Sequence, residues 1–223
     1  MSFLEQQADK LYKKGKKQAA VKLLAQKLQK DMSHEAWFLQ LSSYLTAGGD
    51  LEQAEELLIK AKQLFPKSEE IDYNLAVIYF EANKMKLSQK YLKNIKNPKL
   101  LSDVYYLMAQ EELKKKQPAV ALAYVLTAID KDASISDNYL FAGDLFLQLN
   151  NFKKSAQYYQ KALNLEKSAA GYFKLALVEM VEGNKKYHDD FLSSKTIDQD
   201  YFDKHQQQLK DIEKFIRSQQ KDD

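Results

Sequence analysis

The sequence predicts an all-α solenoid of stacked helix–turn–helix units closed by a C-terminal capping helix. Three observations carry that prediction. The helix breakers are scarce, with 6 glycines and 3 prolines in 223 residues, which favours helices joined by short turns. Small residues recur at Ala20, Ala54, Ser88, Ala121 and Ser155, in steps of 34, 34, 33 and 34. Two further rows keep the same register: Gly15, Gly49, Asn83, Lys116, Asn150 and Gly183, and Ala8, Ser42, Ala76, Ala109, Gly143 and Ala176. A period of about 34 residues is the length of a two-helix repeat.

The units follow in order as residues 1–34, 35–68, 69–101, 102–135 and 136–168. The second unit shows the logic most clearly. Its first helix is expected near Glu35–Ala47 and its second near Leu51–Phe65. Gly48–Gly49 permits the positive φ that ends the first helix, Asp50 is placed to cap the second, and Pro66 stops it. The small rows fall where the two helices of a unit cross, because alanine, serine or glycine lets the axes approach. Leu24, Leu58, Leu92, Val125 and Tyr159 are expected to pack between units.

The departures are local. The third unit is one residue short around Ile95–Pro98. The fourth carries Lys116 in its inner turn, where Pro118 can open the second helix. Glu112 and Glu179 replace the bulky apolar residue seen at Leu45, Tyr79 and Phe146. Residues 169–198 read as a sixth, degenerate unit, with His188 where a small residue belongs. Residues 199–218 place Tyr201, Phe202, Leu209, Ile212, Phe215 and Ile216 on one amphipathic face and read as a cap, since a repeat array leaves an apolar face open at its end. The alternative use of that helix is docking to a partner. Residues 219–223 are expected to be a disordered tail.

These rows, and above all WFLQLSSYLTAGGDLEQAEELLIKAKQLFP and NYLFAGDLFLQLNNFKKSAQYYQKALNL, resemble the tetratricopeptide repeat family. The resemblance covers residues 1–168 as five units. It implies a right-handed superhelix whose first helices line a concave groove. One row of those helices points into the groove in this family. Here that row is Glu5, Leu39, Tyr73, Tyr106, Leu140 and Phe173, flanked one turn away by Glu70, Asp103, Asp137, Val77, Gln110 and Asp144. The expected protein-binding surface is therefore an apolar ladder with acidic flanks, suited to an apolar segment with basic flanks. The ladder residues could instead simply pack against neighbouring helices; an apolar row between polar rows favours a surface. Family members that grip chaperone C-termini use lysine, asparagine and arginine in these rows. Glu5, Asp9, Ser43 and Glu70 stand there instead, so that clamp is absent.

No chemistry is legible. His34, His188 and His205 form no metal-binding spacing, there is no Ser/His/Asp ordering, and Gly48–Gly49 lacks the GK[ST] of a phosphate loop. With no cysteine, disulfides and thiolate chemistry are excluded. The expectation is a protein that is not an enzyme, with no catalytic residue, cofactor or metal. Apolar residues make up 45% and charged residues 29%, a soluble balance, and no run reaches the length of a membrane span, so a cytoplasmic protein with no membrane partner is expected.

The net charge is +3, and of 34 basic residues only Arg217 is an arginine. Lysines gather at the turns inside the units: Lys13, Lys14, Lys16, Lys17, Lys84, Lys86, Lys114–Lys116, Lys153, Lys154, Lys185 and Lys186. Such an edge serves solubility and pairs with helix C-termini, or it binds an anionic partner such as RNA. The scarcity of arginine, whose planar fork grips phosphate, weighs against the second use. The leading expectation is a non-enzymatic protein-interaction adaptor or scaffold that holds a peptide or helical segment. The alternatives are an RNA-associated factor using the lysine edge and self-association; the sequence leaves the oligomeric state open.

Overall fold

The turn row decides where helices end. All six positions, Gly15, Gly49, Asn83, Lys116, Asn150 and Gly183, take positive φ between 56° and 85°. Each reverses the chain after one helix and before the next, and the last carbonyls of the first helix are met by backbone donors. At the second unit, Gly49 N–H reaches Thr46 O at 3.0 Å and Asp50 N–H reaches Leu45 O at 2.9 Å. Asp50 does stand at the start of the next helix, but its side chain makes no capping bond. Side-chain caps occur instead at Ser68, Asn151 and Ser168, which accept from the amides of Ile71, Lys154 and Gly171.

The computed structural model describes residues 3–219, and among them the chain is all-α, with thirteen helices and no strand. In order they are α1 (Phe3–Lys13), α2 (Lys17–Lys30), α3 (Glu35–Gly48), α4 (Leu51–Leu64), α5 (Glu69–Glu81), α6 (Met85–Leu92) and α7 (Leu101–Lys114). They continue with α8 (Pro118–Lys131), α9 (Ser136–Gln148), α10 (Phe152–Leu165), α11 (Ala169–Val181), α12 (Tyr187–Ile197) and α13 (Gln199–Gln219). Pro118 is the first residue of α8, where its missing N–H costs nothing. Among the described residues no helix is long and apolar enough to cross a membrane. The chain divides into two compact units, ending at Val104 and beginning at Tyr105, so the division falls inside α7.

In the first unit, α1/α2, α3/α4 and α5/α6 form successive pairs. The small residues sit at the crossings: Ala8, Ser42 and Ala76 on the first helices and Ala20, Ala54 and Ser88 on the second are at most 1% exposed. Leu24, Leu58 and Leu92 behind them are also sealed. Each such leucine contributes about 1.5–3 kcal/mol by leaving water. A leucine at Ala54 would force α3 and α4 apart. The third pair departs from the others. Its second helix, α6, runs only from Met85 to Leu92. The chain then turns back through residues 93–100, tied to the start of α5 by Glu69, whose Oε2 accepts from the amides of Lys96 at 2.8 Å and Asn97 at 2.6 Å. Those two bonds hold the Glu69 carboxyl below the usual carboxylate range.

In the second unit, α9 and α10 cross closely. Ser155 Oγ donates to Gly143 O at 2.9 Å, and a Cβ on Gly143 would lie 2.4 Å from Tyr159 Cε1. Tyr159 is fully buried. A sixth pair, α11/α12, is present, although α12 is only 11 residues long. An extra turn at Lys185–Lys186 shifts its register, so His188 is exposed and Asp190, Phe191 and Ser194 face the core. Helix α13 lies across this pair. Phe173, Ala176, Met180, Phe191 and Phe202 form one cluster, with Tyr201 and Leu209 packed on it. The side chains of Ile212, Phe215 and Ile216, and residues 220–223, fall outside the described residues.

Candidate functional site

The ladder expected from sequence lies half-buried rather than on an open face. In the first unit Leu39 on α3 and Tyr73 and Val77 on α5 are partly covered, and so are Glu70 on α5 and Asp103 at the start of α7. The Glu70 carboxylate accepts from Asn97 Nδ2 at 3.0 Å, which places it beside the short third pair. Between α3 and α5 is an open cleft of about 370 Å³ lined by Ser43, Thr46, Ala47, Asn74, Val77 and Glu81. Its walls are small or polar, with Val77 as the apolar contact.

In the second unit Tyr106 is the centre. It is half-buried, and its ring meets Phe141 at 5.1 Å between centroids. Burial pushes its phenol up, and the charges of Asp137 and Asp144 push it further, so both carboxylates of α9 act on the Tyr106 side chain. Gln110 is half-buried one turn along α7. Leu140 is half-buried and packs on the cluster of Tyr159, Leu163, Leu175 and Val178. Asp137 is exposed. Asp144 is not an open flank: its carboxylate accepts from Lys174 Nζ at 2.6 and 2.8 Å and from Tyr159 Oη at 2.8 Å. The acidic character of this face therefore rests on Asp137, with Asp144 largely compensated by a lysine.

Phe173 leaves the expected surface altogether. It is 1% exposed, and the rings of Phe191, Tyr201, Phe202 and His205 stand around it at 5.3–6.1 Å. The register is right but α13 covers it. The repeat pattern alone does not reveal a helix arriving from some thirty residues downstream.

The turn lysines have work inside the fold. Lys17 stands over Tyr12 at 5.5 Å, Lys84 over Tyr79 at 5.6 Å and Lys154 over Phe146 at 5.3 Å. Where the fourth unit has Glu112 in place of the ring, Lys115 pairs with it at 2.6 Å. Lys84 also meets Glu55 at 3.2 Å. Each lysine so used is worth about 0.5–1 kcal/mol to its own turn. Part of the basic edge is thus explained by local stabilisation.

One surface was missed by sequence reasoning. Over α3, between α2 and α4, lies a furrow with an apolar floor of Val21, Ala25, Leu41, Leu45 and Leu57 and a polar rim of Gln53, Glu56 and Lys60. It continues past Leu28, Met32 and Phe38. Met32, in the loop after α2, lines it and is 41% exposed. Among the described residues no group of three or more histidines and carboxylates is placed to hold a metal ion.

Two sequence profiles described as tetratricopeptide repeat match residues 45–111 and 106–180, together more than half of the chain. No curated protein matches the sequence closely enough to count as a relative. Among solved structures, PilF of Pseudomonas aeruginosa is similar at 17% identity and a TM-score of 0.67, over 87% of this chain and 90% of that one. The C-terminal part of a repeat-containing protein from Cytophaga hutchinsonii is similar at 12% identity and a TM-score of 0.63, over 95% of this chain and 86% of that one. YrrB, described as having an unusual peptide-binding site, is similar at 14% identity and a TM-score of 0.54, over 83% of this chain and 97% of that one. At these identities the likeness concerns the fold alone.

Proposed function

The chain belongs to the tetratricopeptide repeat family, whose helical repeats serve as protein-interaction scaffolds, and from that premise we propose that it is a non-enzymatic adaptor holding a peptide or helical segment of a partner protein. The binding surface is the first-helix face of each unit taken by itself: Leu39, Glu70, Tyr73, Val77 and Asp103 in the first, and Tyr106, Gln110, Asp137 and Leu140 in the second. The partner segment is apolar with basic flanks, and the setting is cytoplasmic. The observation that carries this reading is Tyr106, a half-buried aromatic packed on Phe141 with the exposed Asp137 carboxylate acting on it. An aromatic anchor beside exposed negative charge suits an apolar side chain followed by lysine or arginine. The peptide-binding site in the description of YrrB is a property of that protein and lends this reading analogy only. The lysine edge as an RNA-binding surface is the weaker reading, because Lys17, Lys84, Lys115 and Lys154 are engaged by their own turns.

The test starts from a displayed random-peptide library selected on the full chain, followed by titration of the selected peptide. Tyr106→Ala is expected to weaken binding about thirtyfold, the equivalent of about 2 kcal/mol for a central anchor. Asp137→Lys should slow association and alter its salt dependence. Lys115→Glu should change little. Loss of binding in Lys115→Glu with Tyr106→Ala unaffected would transfer the function to the basic edge.

A further inference from the structure

Glu179 occupies the position where the repeat asks for a bulky apolar side chain, and burial does not spare it. It is 6% exposed on α11, and Asp190, facing it from α12, is 4% exposed. Glu179 Oε2 has no hydrogen-bond partner among the described residues, and Asp190 Oδ2 has only the Lys186 ammonium, too far for a good hydrogen bond. The polar company is thin: Asn184 Nδ2 reaches Glu179 Oε1 at 3.3 Å, and Lys186 Nζ stands 3.5 Å from Asp190 with its own side chain 53% exposed. Two ionised carboxylates so enclosed, with one half-solvated ammonium between them and water, carry a repulsion that the helix pair must absorb. One proton shared by the two removes it.

We propose that Glu179 and Asp190 form a proton-operated latch: α12 docks on α11 with a proton held between the two carboxyls, and release of that proton frees α12 and with it the grip of α13 on the end of the unit. The step is a plain acid dissociation, the proton passing from the carboxyl pair to solvent as the helices part. The occupant is a proton rather than a metal ion because only two carboxylates converge here and a lysine already stands at one of them. What opening uncovers is the aromatic cluster of Phe173, Phe191 and Phe202.

The electrostatics agree with the geometry. Burial first, then the hydrogen bond and charge of Asp190, push Glu179 up from 4.5 to about 7; Lys186 opposes this and Glu182 on the same helix adds to it. On the α13 side of the core stand Tyr201 and His205, both against Phe173. On the α10 side Tyr159 gives its hydroxyl to Asp144. A carboxyl raised in the docked state stabilises that state fully below its ordinary value, and the stabilisation is lost as pH rises through the raised one. The window is therefore about pH 4.5 to 7, and in it the open fraction grows by up to about tenfold per pH unit.

Amide hydrogen exchange on the full chain, corrected for intrinsic rates, reads this directly. Between pH 5 and pH 7.5 the opening constant for α12 and the start of α13 should rise at least tenfold, while α3 and α4 stay level. Glu179→Gln, whose amide can donate to Asp190, should abolish the slope, and Asp190→Asn, which leaves Glu179 buried, should lessen it. His188→Gln with His205→Gln should keep it. A flat profile in the unsubstituted chain overturns the latch whatever the variants do. So does a slope that survives both carboxyl substitutions, or one that disappears with the histidines.

Discussion

Lys116 is the single residue of the turn row that is neither glycine nor asparagine, and it is held at φ 60°. That conformation costs an L-residue with a long side chain about 1–2 kcal/mol. The turn cannot relax, because Lys116 N–H reaches Leu113 O at 2.9 Å and Gln117 N–H reaches Glu112 O at 3.0 Å, closing α7 onto α8. Lys116→Gly should release the strain. Glycine's greater freedom in the unfolded chain takes back about 0.5–1 kcal/mol. The net gain is about 0.5–1 kcal/mol, or a rise of about 1–4 °C in melting temperature for a chain of this length. Gly49→Ala supplies the opposite sign. A Cβ there meets nothing within 4 Å, so any loss reports φ alone, and about 1 kcal/mol should disappear. The assay is urea unfolding followed by helical circular dichroism. A Lys116→Gly midpoint at or below that of the parent, together with a harmless Gly49→Ala, would refute the strain argument.

Further predictions concern packing. Gly143→Ala places a Cβ 2.4 Å from a sealed Tyr159 ring and should cost about 1–3 kcal/mol in urea unfolding, despite alanine's better helix propensity. Phe173→Ala should cost about 3–5 kcal/mol of stability, whereas Tyr106→Ala, being half-buried, should cost less stability while losing peptide affinity; equal stability losses would mean that Tyr106 is a core residue. Removing residues 199–223 bares Phe173, Phe191 and Met180, so the urea midpoint should fall by the equivalent of a few kcal/mol, at about 1.5–3 per side chain, and light scattering should show association. An unchanged midpoint with a monodisperse sample would mean that α13 does not act as a cap.

The fold was legible because its signals repeat. The turn row names six positions of positive φ, including the unfavourable Lys116, and the small rows name the helix crossings. Repetition lets weak local preferences reinforce one another. The misreadings fall where one unit differs from its neighbours. Asp50 has the right residue type and place for a cap, yet its carboxylate makes no capping bond, whereas Asn151 at the same position of a later repeat does. Helix α6 is short, and the loop after it is held by Glu69 through the amides of Lys96 and Asn97, contacts 27 and 28 residues apart that no period encodes. The candidate site was legible in register but not in exposure. Phe173 carries the right phase and is covered by α13; Asp144 carries the right charge and is paired with Lys174 from the next helix pair. The furrow between α2 and α4 depends on how far two helices stand apart, which side-chain identity alone does not set.

The most direct test of the scaffold account is a two-dimensional amide and methyl NMR titration of the labelled full chain with the selected peptide. The account predicts shifts concentrated on α5, α7 and α9, at Tyr73, Val77, Tyr106, Gln110 and Leu140, with the turn amides of Lys13–Lys17 and Lys114–Lys116 unmoved. Shifts confined to those lysine turns, or to Val21, Ala25 and Leu57 in the furrow, would contradict it.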